Sequence, residues 1–208
     1  MQSTAQGYLV FELTNSPAYL GYVGFAAGLP AWLFTLFGGV VADRMPRKKL
    51  LLITQTSMML LAIILASLTY FRLVKPWHIV VLAFFLGIAN AFDAPARQAF
   101  VTELVDRKDL TNALALNSTM FNTTTVLGPA FAGLTYALFG PAMCFTINAI
   151  SFLAVIGALT LMPVGSLVNG ILADKIGEPL TVQINGLVLM CLAFFLWFKF
   201  PSLRVTEE

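Results

Sequence analysis

The sequence predicts an all-α fold, a polytopic bundle of about six transmembrane segments, and three observations predict it. Apolar stretches lie near 19–42, 50–71, 77–92, 112–139, 142–173 and 180–198. Each approaches or exceeds the about 20 residues that a helix needs to cross a bilayer core of roughly 30 Å. Charged residues make up 11% of the chain against 59% hydrophobic, with a mean hydropathy of +0.86. A soluble domain of this size carries roughly 25% charged residues to keep a wet surface. Finally, the basic residues gather in the gaps between stretches. Helices are expected rather than a barrel, because in lipid each backbone group must be satisfied within its own segment and no short alternating pattern occurs.

The chain opens with Ser3 to Leu13, mostly apolar, before Thr14, Asn15, Ser16 and Pro17 give a turn signal. Such a helix reaches about half way across a bilayer. Met1 to Gly7 lacks the basic start of a cleavable signal peptide, and Glu12 interrupts the apolar residues after Gly7. In the first full span, Gly24 and Gly28 share a face and are expected to admit a neighbouring helix closely. The next gap holds Arg44, Arg47, Lys48 and Lys49, the one after the second span only Arg72 and Lys75, and the one near 93–112 Arg97, Arg107 and Lys108. Basic residues mark cytoplasmic loops, so both richer gaps face the cytoplasm, and Tyr70, Trp77 and His78 fall at the outer interface as belt residues do.

The third span ends near Asp93, with a broken helix expected before Pro95. In 112–139, Gly128 and Pro129 predict a bend whose freed carbonyl is taken by Thr124 or Thr125. From Ala142 to Ala173 no charge occurs, a run of roughly 48 Å as one helix, too long for one crossing and too short for two. Pro163, Gly165 and Gly170 are the places to break it. A plain explanation is that two helices not adjacent in a parent protein are joined near Leu161 to Pro163. A single crossing puts the C-terminus outside; a hairpin at Pro163 returns it to the cytoplasm.

The net charge of +2 gives no footing for nucleic acid. Cys144 and Cys191 sit inside apolar stretches as small hydrophobes, and His78, the single histidine, has no companion ligand beside it. No metal site, cofactor or enzyme constellation is expected. Asp93, apart from Glu12, is the one acid close to an embedded stretch in the first half. It reads either as a proton or ion-pair site with Arg97, or as a cap that ends the helix and pairs with Arg97 four residues on. Gln55, Asn90, Asn117, Asn122, Asn148, Asn169 and Asn185 are the polar groups able to line a path or to bond between helices.

One phrase occurs twice: Gly39-Val-Val-Ala42-Asp43-Arg44 and Gly170-Ile-Leu-Ala173-Asp174-Lys175. Such repeats are the trace of transporters built from duplicated bundles. Gly39 to Lys49 resembles motif A of the major facilitator superfamily, Gly-x-Leu-Ala-Asp-Arg-x-Gly-Arg-Arg, departing from it at Pro46. The stretch from Asp93 and Arg97 through Glu103 to Asn117 and Ser118 is similar to the fourth-helix end of a bacterial efflux branch that includes enterobactin exporters. Gly128-Pro129-Ala-Phe-Ala-Gly133 resembles the fifth-helix motif C of drug and proton antiporters.

The resemblance implies that residues 1–161 are the N-terminal half of such a transporter, from the end of helix one to helix six. Residues 162–208 then resemble the last two helices and a cytoplasmic tail, with helices eight and nine the other source for the second Ala-Asp-Lys copy. Helices between the two blocks would be missing. It implies a latch made by Gly39, Asp43, Arg44 and Arg47, with Arg97 a candidate partner for Asp43, and a second such element at Gly170, Asp174 and Lys175. Arg47, Lys48 and Lys49 are also expected to signal topology and touch lipid headgroups. A surface ion pair is the other reading of Asp43 and Arg44. The implied function is secondary, proton-coupled efflux of a small solute across a bacterial inner membrane. The implied partners are the lipid bilayer, the solute, protons, and a second copy or another chain supplying missing helices. The competing reading is a membrane-embedded remnant or interaction module that transports nothing.

Overall fold

In the computed structural model, residues 2–105 and 110–176 are described, side chains as far as Leu161. Among the described residues all regular structure is helical: α1 Gln2–Thr14, α2 Pro17–Arg44, α3 Arg47–Tyr70, α4 Pro76–Leu104 and α5 Leu110–Ile176. The chain divides after Leu159 into two units. The first carries α1 to α4 and α5 as far as Leu159, and the second continues as helical backbone to Ile176. Within α5 the backbone leaves the helical region at Gly140, which separates two arms. Among the described residues four helices, α2, α3, α4 and α5 as far as Leu161, are long and apolar enough to span a membrane; α1, with 13 residues, is about 20 Å long and is not one of them. The sixth expected segment, near 180–198, lies outside the described residues.

The turns follow from local chemistry. Asn15 closes α1 at a positive φ of 48°, its N–H bonding the Phe11 carbonyl at 2.8 Å, and Pro17 then starts α2 with no N–H to lose. After α3, Arg72 takes the left-handed conformation (φ 56°), and Leu73 and Arg72 donate back to Leu68 and Thr69 at 2.9 and 3.1 Å. This double closure satisfies the last carbonyls of the helix. α4 begins at Pro76, and His78 Nδ1 accepts the Lys75 N–H at 3.1 Å, so this histidine serves a helix start.

Three expectations about prolines and glycines are corrected. α4 does not break before Pro95 but runs on to Leu104, which leaves Asp93 inside a continuous helix rather than capping one. Breaking there would strand several backbone groups, whereas a proline within a membrane helix removes one bond that neighbours and local adjustment absorb. At Gly128 and Pro129 the freed carbonyl is not taken by the expected hydroxyls: those of Thr124 and Thr125 bond the Met120 and Phe121 carbonyls, both at 2.8 Å, within a backbone that stays helical. The chain breaks at Gly140 (φ 78°, ψ 173°), before Pro141, in the gap between the 112–139 and 142–173 stretches. The residue preceding a proline is pushed out of the helical region, only glycine adopts this backbone readily, and an uncharged gap at a span end lets freed groups meet the interface. The backbone is helical through Pro163, Gly165 and Gly170 as far as Ile176, so none of these breaks the run.

α4 occupies the centre of the first unit, packing on α1, α2 and α3. Half of its apolar window is buried, against 22% for α2, which therefore offers most of its surface to lipid. Trp32 and Leu36 are 80% and 82% exposed on that outward face, beside Phe25 and Phe37. In water such a patch exceeds what a monomer tolerates; in a bilayer it is the lipid contact. The main core joins Ala5, Leu9 and Val10 of α1, Val23 and Ala26 of α2, Leu65 of α3, Ile79, Leu82 and Ala83 of α4, and Cys144 and Phe145 of α5. Cys144 is packed there as a small hydrophobe, Sγ 3.9 Å from the Ala132 carbonyl.

Among the described residues the close helix approach is not at Gly24 and Gly28, where an added Cβ meets nothing within 4 Å. It lies at Gly38, whose missing Cβ leaves room for the Ala91 carbonyl, and at Gly87, which does the same for the Ala27 carbonyl. α2 and α4 meet backbone to backbone at these points.

Candidate functional site

Asp93 is the organising residue. Its side chain is 1% exposed, in the middle of α4, so its charge has to be met by protein groups rather than water. Three donors meet it. Thr54 Oγ1 and Gln55 Nε2, both on α3, lie 2.8 Å from Oδ1, and Arg97, one turn along α4, pairs with Oδ2. The Thr54 hydroxyl also lies 3.0 Å from the Leu51 carbonyl, so its one proton is shared between two acceptors. A carboxylate held by two hydrogen bonds and a guanidinium ties α3 to α4 in a setting where helices gain little from hydrophobic association.

Arg97 differs from its partner in being 52% exposed. It faces a cavity of about 950 Å³ between α1, α4 and the first arm of α5. Ser3 and Thr4 of α1, Asn90 and Gln98 of α4, and Asn117, Ser118, Asn122, Thr124 and Thr125 of α5 bring polar groups to its wall, which Gly128 and Pro129 continue. Asn90, Asn117 and Asn122 are thus brought together, as a path requires. Gln55 is instead turned to Asp93, and Asn148 donates to Gln2 Oε1 at 3.0 Å in the packed interior. Asn169 and Asn185 fall outside the described side chains.

The motif A residues sit at the C-terminal end of α2, where Ala42 packs with Leu50 and Leu51 of α3 and Ala96 of α4 beside the Asp93 network. Asp43 and Arg44 are exposed, and among the described residues Asp43 makes no ion pair; Arg97, its expected partner, is engaged by Asp93. Gly39 is half-buried beside them. Arg47 is not confined to lipid headgroups: it pairs with Glu103 at 3.3 Å, joining the start of α3 to the end of α4. Both groups are substantially exposed, at 35% and 57%, so the pair is worth about 0–1 kcal/mol and is weakened by salt. Glu103→Gln should therefore lower thermal stability slightly in low salt and leave it unchanged in high salt. An equal loss in both media would show that Glu103 matters through something other than this charge pair.

Gly133 packs toward the Tyr8 hydroxyl. Gly170, Asp174 and Lys175 have helical backbone and side chains outside the described set. Thr54 was not singled out by the sequence, nor were Ser3 and Thr4, and Glu103 entered only through the resemblance. The available signal for Thr54 was physical: an acid inside an apolar helix requires donors, and Thr54-Gln55-Thr56-Ser57 is the polar patch on the preceding span.

A motif A turn, a fourth-helix acid and base pair and a Gly-Pro fifth helix follow one another along the chain, the last two lining one cavity. The sequence profile of the transmembrane secretion effectors matches residues 1–185. The chain belongs to this family of major facilitator transporters. It is 33% identical over 156 residues to the staphyloferrin A transporter of Staphylococcus aureus, covering 74% of this chain and 39% of that protein. It is 25% identical over 152 residues to macrolide efflux protein A of Streptococcus pyogenes, covering 73% and 36%. A protein of the same name from Enterococcus faecalis is 26% identical over 144 residues, covering 69% and 41%. The chain thus spans about two fifths of the length of these relatives. No solved structure gives a significant match. The family, the apolar helices and the bacterial relatives make it a multi-pass bacterial membrane protein.

Proposed function

We propose that the chain forms one wall of a secondary transporter that exports a small solute, driven by protons, with Asp93 and Arg97 as its coupling pair. The observation that carries this reading is the buried Asp93 carboxylate joined to a half-exposed Arg97 on the wall of a cavity that amides and hydroxyls also line, inside helices whose outer faces suit lipid. Ionisable groups at such depth are costly and are kept where a solute or proton passes. The names of the relatives, a staphyloferrin A transporter and macrolide efflux proteins, support a small transported solute. The opposite wall would come from segments or subunits beyond the described residues, a second copy included. Asp43 and Arg44 would act as a latch on the cytoplasmic side, as the motif A resemblance implies.

Accumulation of labelled citrate and of a labelled macrolide, followed side by side in cells lacking their own efflux pumps, tests the reading. Expressing the chain should lower accumulation, and a protonophore or Asp93→Asn should restore it. Equal accumulation with and without the chain would sink the proposal and favour the non-transporting remnant.

A further inference from the structure

The charges around the cavity also bear on what kind of solute it accepts. Among the residues that line it, only Asp93 and Arg97 are charged. They are not presented equally. Asp93 is 1% exposed and both its oxygens are engaged, Oδ1 by Thr54 and Gln55 and Oδ2 by Arg97. A cation entering the cavity therefore finds no carboxylate to bind, and meets a guanidinium instead. Arg97 is 52% exposed, and its bond to Asp93 uses one Nη2 hydrogen. A guanidinium carries five N–H donors in a fixed plane, so four remain, and among the described residues none of them has a partner.

The geometry points to Arg97 as the anchor for a carboxylate group of the solute, a proposal that rests on the reading of the cavity as the solute site. A planar carboxylate accepts two parallel N–H bonds from the free edge of a guanidinium, a match that neither an ammonium nor a neutral group reproduces. Asp93 offsets most of the charge of Arg97, so the anchor acts through the number and direction of the free N–H donors rather than through a net positive charge. Asp93 also fixes one nitrogen of Arg97 and so holds the remaining edge in a set direction, while Thr54 and Gln55 anchor Asp93 from α3. Around that edge, the amides of Asn90, Gln98, Asn117 and Asn122 supply donors and acceptors that suit the hydroxyl and carbonyl groups of a polar acid. Arg97 is the binding residue in this scheme; Asp93, Thr54 and Gln55 position it.

Equilibrium binding of labelled citrate to the full chain in lipid nanodiscs at neutral pH tests this. Two competitors accompany it: trimethyl citrate, which keeps the skeleton without charge, and tetrapropylammonium, a cation of similar bulk. Citrate should bind, trimethyl citrate should compete at least about tenfold more weakly, and tetrapropylammonium should not compete. Arg97→Gln should weaken citrate by about tenfold or more, while Arg97→Lys, which keeps the charge and loses the fork, should fall between. The competitor ranking is measured on the unaltered chain, so it stands even where a variant folds poorly. Equal competition by the neutral ester, or unchanged citrate binding by a folded Arg97→Gln, would overturn the assignment. Binding of tetrapropylammonium in place of citrate would overturn the carboxylate class and leave the cavity a solute site. Binding of none of the three would remove both readings.

Discussion

Asp93→Ala is expected to destabilise the chain by about 2–4 kcal/mol, among the largest effects of any single side-chain truncation in the first unit. The loss has two parts. Removing the carboxylate leaves the buried Gln55 amide with an unsatisfied donor, and it leaves Arg97 without its counter-charge. Breaking a fully buried ion pair costs about 3–5 kcal/mol, and the value here is lower because half-exposed Arg97 can turn into the cavity. Thr54 softens the loss further, since its proton can pass wholly to the Leu51 carbonyl. Asp93→Asn should lie in between: its oxygen still accepts from Thr54 and Gln55, but its amide nitrogen points donors at the guanidinium. Thermal unfolding in detergent, followed by loss of the monodisperse species, measures the series. The double variant Asp93→Ala with Gln55→Leu should be less damaged than the sum of the singles, because one bond is lost in both. Strict additivity would mean that Gln55 and Asp93 do not act together.

This network also shows where sequence reading stops. The spans were legible because their signal is local: a bilayer demands a certain apolar length, and 50–71 and 112–139 declare it residue by residue. The turns at Asn15 to Pro17, at Pro46 and at Gly140 were legible for the same reason, each being a short-range conflict with helical geometry. The pairing of Asp93 with Arg97 was visible as a spacing of four within one helix. Its bonds to Thr54 and Gln55 were not, since they join residues 39 and 38 positions apart and depend on how α3 rolls against α4. The partner of Asp43 failed for a related reason. Arg97 satisfied the charge rule for either acid, and only packing decides that the buried one holds it. Proline misled at Pro95 because a rule drawn from water, where a broken helix is solvated, reverses in a medium that cannot solvate it.

Glycine supplies the other large expected effect, with a sign that depends on position. Gly→Ala in an open part of a helix removes backbone freedom from the unfolded chain and should stabilise by about 0.4–1 kcal/mol. Gly24→Ala and Gly28→Ala meet this condition, because an added Cβ touches nothing there. Gly87→Ala and Gly38→Ala do not. The added carbon would collide with the Ala27 and Ala91 carbonyls, which belong to helix backbone and cannot swing aside as a side chain does. Relief requires moving α2 away from α4, at about 1–3 kcal/mol or more, and the separation would propagate to Asp93 and the cavity wall that α4 carries. In lipid this matters more than in a soluble core, because close packing and interhelical hydrogen bonds hold membrane helices together where hydrophobic association does not. The same one-carbon change should thus raise thermal stability at two glycines of α2 and lower it at Gly38 and Gly87. Uniform behaviour at all four sites would show that the α2–α4 contact does not govern the fold.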